Sequence, residues 1–193
     1  LLTDRGYEVH LTRTGDTLIA LDDRSRIANR LKGERPGLFL SIHANAHRST
    51  DVRGFETFFL SDARTDDERR VAEMENAAVE YEDQRPEDDA VGHILNDIRN
   101  DFYVRTSNDL AGVVQTNLAG FHSGPDRGVK RAGFRVLVGA LMPAVLVEAA
   151  FISNPAEARL LGTAAFQQKI AWALADAVDD FFARHGGLWA GSR

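Results

Sequence analysis

Residues 143–154, Pro-Ala-Val-Leu-Val-Glu-Ala-Ala-Phe-Ile-Ser-Asn, decide how this chain folds. The run AVLV over 144–147 reads as an apolar strand. Glu148 follows at once and is itself followed by apolar residues. A carboxylate in such surroundings must be paired, bound to metal, or shifted upward in pKa. Any of these makes Glu148 a candidate general base. A helix start comes next in Asn154-Pro155-Ala156-Glu157. Asn154 can cap, Pro155 fits the first helical position and Glu157 can close a capping box.

The same pattern recurs upstream. LFLSI over 38–42 is a near-continuous apolar run, as expected of a strand covered on both faces. It delivers His43, within Ser41-Ile42-His43-Ala44-Asn45-Ala46, to the carboxyl end of that strand, the edge where open α/β sheets bind ligands. Further strands are expected at 8–12 (EVHLT), 54–60 (GFETFFL) and 134–138. Residues 1–7 read as a helix end stopped by Gly6. Leu21, Ile27, Ala28 and Leu31 mark an amphipathic helix over 18–31. Phe166, Ile170, Ala173, Leu174, Ala177 and Phe181 stripe a long final helix that ends near Gly186-Gly187, before a tail over 188–193. The fold class is α/β: a three-layer sandwich with a largely parallel mixed central sheet and a helical insertion.

That insertion is placed at 62–120 by its charge. Residues 62–105 hold 14 acidic and 6 basic side chains, a local charge of −8; with −6 for the whole chain, the rest sums to −6 + 8 = +2. The pattern suggests one helix before Pro86, a second over about 90–104 and a third over about 108–119. A net charge of −6 argues against nucleic acid as a partner. No apolar run approaches the ~20 residues of a membrane span. The absence of cysteine excludes thiolate metal sites. Taken singly, a histidine at a strand end is more often structural than a ligand, and a lone glutamate among apolar residues is more often an ion-pair partner. Imidazole together with a carboxylate base is what metal-assisted hydrolysis needs.

Four ordered blocks carry a resemblance: SIHANA (41–46), GFETFFL (54–60), the loop DRGVK (126–130) leading to FRVL (134–137), and PAVLVEAAFISNP (143–155). They resemble the zinc-dependent N-acetylmuramoyl-L-alanine amidases of the AmiA, AmiB and AmiC type. The resemblance implies hydrolysis of the bond between N-acetylmuramic acid and L-alanine in peptidoglycan, in a periplasmic or extracellular setting tied to cell-wall remodelling and cell division. It implies His43 as a zinc ligand and Glu148 as the catalytic base. The family's other two ligands lie upstream of the point where this sequence begins. The expectation is therefore a catalytic domain over 1–187 without its N-terminal strand, binding zinc weakly or not at all. His47 is a poor substitute, because its four-residue spacing from His43 falls on a loop.

The segment 71–78 resembles the helix that covers the active site in regulated amidases. Val71, Glu75 and Ala78 share one helical face while Glu73 points away, so Glu75 is the candidate autoinhibitory residue, displaced by an activator protein. A solvated acidic helix is the alternative. Asn45, Arg127 and Lys130 are candidate substrate contacts, although Arg127 and Lys130 could equally pin a loop. Two other functions stay open: a related zinc exopeptidase, distinguished by its products, and a non-catalytic wall-binding or regulatory domain, distinguished by its zinc content.

Overall fold

The computed structural model describes residues 1–82 and 98–186. Four strands, β1 (Phe39–Asn45), β2 (Phe55–Leu60), β3 (Asp126–Ala132) and β4 (Ala144–Phe151), form one mixed sheet in the order β1-β4-β2-β3. β1 runs parallel to β4 and β2 parallel to β3, whereas β2 and β4 are antiparallel. The helices are α1 (Leu21–Lys32), α2 (Asp66–Asn76), α3 (Ile98–Ala119), α4 (Pro155–Leu161) and α5 (Ala164–His185).

Strand alternation sorts the side chains into two cores. Val145, Val147 and Ala149 of β4 join Phe55 and Phe59 of β2 against α3 and α5. Ala144 and Leu146 join Phe58 on the other face, against Leu21 of α1, Val71 of α2 and the buried Phe134. All eight residues of β4 are buried, which is why its sequence is apolar without alternation. The expected three-layer α/β sandwich is thus the observed one. Helix α3 is one of its outer layers, with Leu110, Val114 and Leu118 fully buried. The C-terminal part of the 62–120 segment is accordingly core, not appendage.

Several local expectations change. Residues 8–12 form no strand: Val9 and Leu11 are exposed, and no strand among the described residues pairs with them. Residues 134–138 are not a strand either but a single 3-10 turn, Arg135–Leu137, whose apolar side chains fill the core from a loop. That turn is held by Asn76 Oδ1 accepting from the Arg135 backbone and by the Arg135 guanidinium on Asp22. β1 lies at the edge of the sheet among the described residues, and Ile42 is exposed instead of covered. The helices expected to part near 104–108 are one, α3, because Thr106 returns its hydroxyl to Phe102 O inside the helix and Ser107 accepts from the Ala144 backbone. The expected break at 85–89, the helix start near 90 and the tail at 188–193 lie outside the described residues. Only a 3-10 turn, Thr3–Arg5, precedes Gly6, which does adopt the left-handed conformation at φ 88°.

The segment read as a loop, 126–130, belongs to β3. Its register on β2 shifts between Phe55 and Thr57, opposite Asp126 and Val129, so β3 carries one extra residue there. Gly128, at φ 81°, takes the strained position of this bulge. In a regular strand Arg127 and Lys130 would face opposite sides; the extra residue brings both to the same one.

Candidate active site

Three adjacent strands each contribute one side chain to a row. In the sheet register His43 of β1 pairs with Glu148 of β4, and Glu148 pairs with Glu56 of β2. All three project on the face that α2 covers. Glu148 is completely buried, and neither of its carboxylate oxygens has a hydrogen-bond partner among the described residues. Burial, then the negative charges of Glu75 and Glu56, push its pKa up to about 9, against a smaller opposing effect of Arg70.

His43 is bracketed. Its Nε2 lies 2.8 Å from Ser41 Oγ and its Nδ1 lies 2.6 Å from Glu75 Oε2. One ligand-type atom from each of His43, Glu75 and Glu148 falls within 4.8 Å of the other two, so the structure brings these three together. One imidazole nitrogen and two carboxylate oxygens are a donor set that zinc accepts. Two buried oxygens without partners are what a site that takes a cation presents, since an unpaired buried polar group is otherwise costly. This cluster can therefore hold a metal ion, His43 supplying the imidazole donor.

Glu56 is the opposite case to Glu148. It is equally buried, yet Asn45 Nδ2 donates to its Oε1 at 2.7 Å, and Arg127 Nε and Lys130 Nζ reach its Oε2 at 2.9 and 2.5 Å. Asn45, expected to touch substrate, is fully buried and donates its amide to Glu56, orienting that carboxylate. Arg127 and Lys130 lie on β3, not on a loop, and both also reach Asp67 of α2, at 3.2 and 2.8 Å. Despite its partial burial, the Asp67 carboxyl lies well below the usual carboxylate range. Burial opposes that shift, and the hydrogen bonds from Lys130 and Arg70 outweigh it.

Helix α2 carries Glu75 to His43 because it is fixed along its length. Thr65 and Glu68 form a reciprocal capping box, and Glu68 also accepts from the Arg131 backbone. Val71 is fully buried below Glu75, and Glu73 is exposed on the opposite side. Asn76 donates to Gly133 O and accepts from Arg135 N, while Ala78 already belongs to the following 3-10 turn, Ala77–Tyr81. Arg70 reaches Ala46 O at 3.1 Å, tying the helix to the loop after β1.

His47 is outside the cluster, its backbone N donating to Ser153 Oγ and its Nδ1 accepting from Ser49 N. His10 pairs with Glu8, His122 is buried against Phe55, and His185 stacks on Phe181; His93 lies outside the described residues. Glu157 does not close the expected capping box but accepts from Gly54 N and Phe151 N, tying α4 to the residue before β2 and to the end of β4. Glu56 and Asp67 went unnoticed in the sequence. Glu56 gave the same signal as Glu148, a carboxylate inside an apolar strand.

Residues 1–180 match the family described as N-acetylmuramoyl-L-alanine amidase. The chain is 36% identical over 186 residues to the N-acetylmuramoyl-L-alanine amidase AmiA of Escherichia coli (strain K12), covering 94% of this chain and 63% of that protein. It is 31% identical over 187 residues to AmiC of Neisseria meningitidis serogroup B, covering 91% and 42%. The chain therefore spans less than two thirds of the length of these relatives. Among solved structures it is similar to the amidase AmiC2 of Nostoc punctiforme, with a TM-score of 0.67 at 22% identity, covering 94% of this chain and 76% of that one. That likeness bears on the fold alone.

Proposed function

The chain belongs to the N-acetylmuramoyl-L-alanine amidase family, and on that premise we propose that it hydrolyses the amide bond between N-acetylmuramic acid and L-alanine in peptidoglycan, using zinc. The observation that carries the reading is Glu148: a fully buried carboxyl whose two oxygens have no partner among the described residues, beside His43 on the next strand. A structural glutamate would be paired, as Glu56 is.

His43 is the zinc ligand supplied by the sheet, to be joined by the two further ligands that the family resemblance implies, and Glu148 is the base, facing the ion without being one of its ligands. Bound zinc would polarise the scissile carbonyl and add a positive charge that lowers the pKa of Glu148. With its pKa near 9, Glu148 is protonated at neutral pH when no cation is close, so the base is armed only in the loaded site. The ionised Glu148 then takes a proton from the attacking water and passes it to the nitrogen of the departing L-alanine. Ser41 fixes the far side of the imidazole at 2.8 Å and so orients His43.

Glu75 supports a second part of the proposal, autoinhibition. Its carboxylate sits where substrate and water must approach His43, at 2.6 Å from the ring. Turnover then requires α2 to shift, driven by an activator protein. The substrate sets the location, the periplasm or the outside of a bacterial cell, and the role, wall remodelling during cell separation. No helix among the described residues is long and apolar enough to cross a membrane.

The test is zinc content together with dye release from labelled murein. In a chain that carries the two further zinc ligands, Glu148→Gln is expected to abolish release and keep most of the metal, because the base is not a ligand. Unchanged release by that variant would overturn the assignment of the base, and release of free amino acids instead of stem peptides would favour an exopeptidase.

A further inference from the structure

Arg127 and Lys130 share a face of β3 only because of the bulge at Gly128. Two cations there exceed what the sheet needs. Glu56 balances one charge, and the second is balanced by Asp67, which comes from α2 and not from the sheet. Asp67 is a third exposed, and the side chains of Arg127 and Lys130 retain 27% and 16% exposure, so the cluster opens on solvent while Glu56 beneath it does not. If α2 moves, Asp67 and Arg70 leave together. Glu56, Arg127 and Lys130 then remain with a net charge of +1 and one anion short.

We propose that Arg127 and Lys130 form an anion subsite that Asp67 fills while α2 is closed, and that a carboxylate of the substrate's peptide takes it when α2 moves. The inference rests on the amidase reading and names which part of the substrate the cleft holds. The cationic heads stand over Glu56, one strand from Glu148, which is about 5 Å, or up to about 10 Å measured to β3 itself. An extended peptide advances about 3.5 Å per residue. A carboxylate about two residues beyond the scissile bond therefore reaches the pair. An arginine fork and an ammonium group together suit a carboxylate better than a neutral amide. Substrate and Asp67 thus compete for one site, and peptide binding itself favours the open helix.

The test uses two ligands, N-acetylmuramoyl-L-alanyl-D-glutamic acid and the same compound with both glutamyl carboxyls amidated, titrated calorimetrically into the 193-residue chain. Asp67→Asn should bind the acid about tenfold or more tightly than the amide, as expected for charge-assisted hydrogen bonds. Wild type should show a smaller preference, and adding Lys130→Gln to Asp67→Asn should erase it. In the unmutated protein, raising the salt concentration should weaken the acid and leave the amide unchanged, a readout that needs no variant to fold. Equal binding of acid and amide by Asp67→Asn, with no differential salt effect in wild type, overturns the subsite and leaves the amidase reading standing. Binding of neither ligand by any form overturns both.

Discussion

Replacing Glu148 by glutamine should make the metal-free protein more stable at neutral pH, and the gain should vanish in acid. The folded-state pKa, about 9, lies above the ordinary glutamate value of about 4.3. The native state therefore holds a proton that the unfolded chain has already lost. A carboxyl raised in this way supports the fold fully below about pH 4.3, and that support drains away as pH rises toward 9. At pH 7.5 the loss spans roughly three pH units, or about 4 kcal/mol at about 1.4 kcal/mol per unit. Glutamine removes the ionisation and keeps the shape. For a chain of this size the difference corresponds to a rise in Tm of roughly 8–16 °C. The assay is thermal melting of chelator-treated wild type and variant from pH 5 to pH 8. The comparison across pH matters more than either value alone, because the neutral carboxyl has no partner among the described residues and an amide of the same shape in its place would meet the same surroundings. Parallel stability profiles for the two proteins would refute the argument, because Glu148 would then titrate alike in folded and unfolded chains.

Glu75→Ala removes the charge next to Glu148 and the partner of His43, so it should bring the Glu148 pKa down and, in a chain carrying the two further zinc ligands, raise basal murein hydrolysis without an activator. The exposed Glu73 offers a control, since Glu73→Ala should change little; equal, low release with full metal in wild type and Glu75→Ala would mark α2 as a bystander. Asn154→Ala should cost about 1–2 kcal/mol in urea unfolding, because its Oδ1 accepts from Ala156 N and Glu157 N at the start of α4.

The parts of the fold that were legible are those where one segment decides its own state. AVLV announces a strand whatever surrounds it, and Asn154-Pro155 starts α4 through its own side chain. Misreadings came where a partner decides. FRVL has a strand's composition but is a turn because Asn76 and Asp22 claim Arg135. DRGVKR has a loop's composition but is a strand because Glu56 and Asp67 neutralise its cations. His43 and Glu148 could be singled out because each ends or interrupts an apolar run. Three donors around one point could not be counted, since Glu75 reaches His43 only through the anchoring of α2 by Glu68, Val71 and Asn76.

Setting His43, Glu148 and Glu56 side by side on neighbouring strands has a consequence for what changes the site can absorb. Their spacing is the spacing of hydrogen-bonded backbones, about 5 Å per step, and no loop can stretch it. Insertion of one residue between Ala144 and Glu148 would turn the carboxyl through the sheet into the α3–α5 core, among Val145 and Val147, and bring an alanine or valine to face His43. Lengthening the loops beyond Asn45 or Phe151 leaves the row untouched. Tolerance to insertion should therefore switch from none to considerable within a residue or two of the strand ends, and a scan of single-residue insertions along β1, β2 and β4 would trace the boundary of the reactive row without any ligand present.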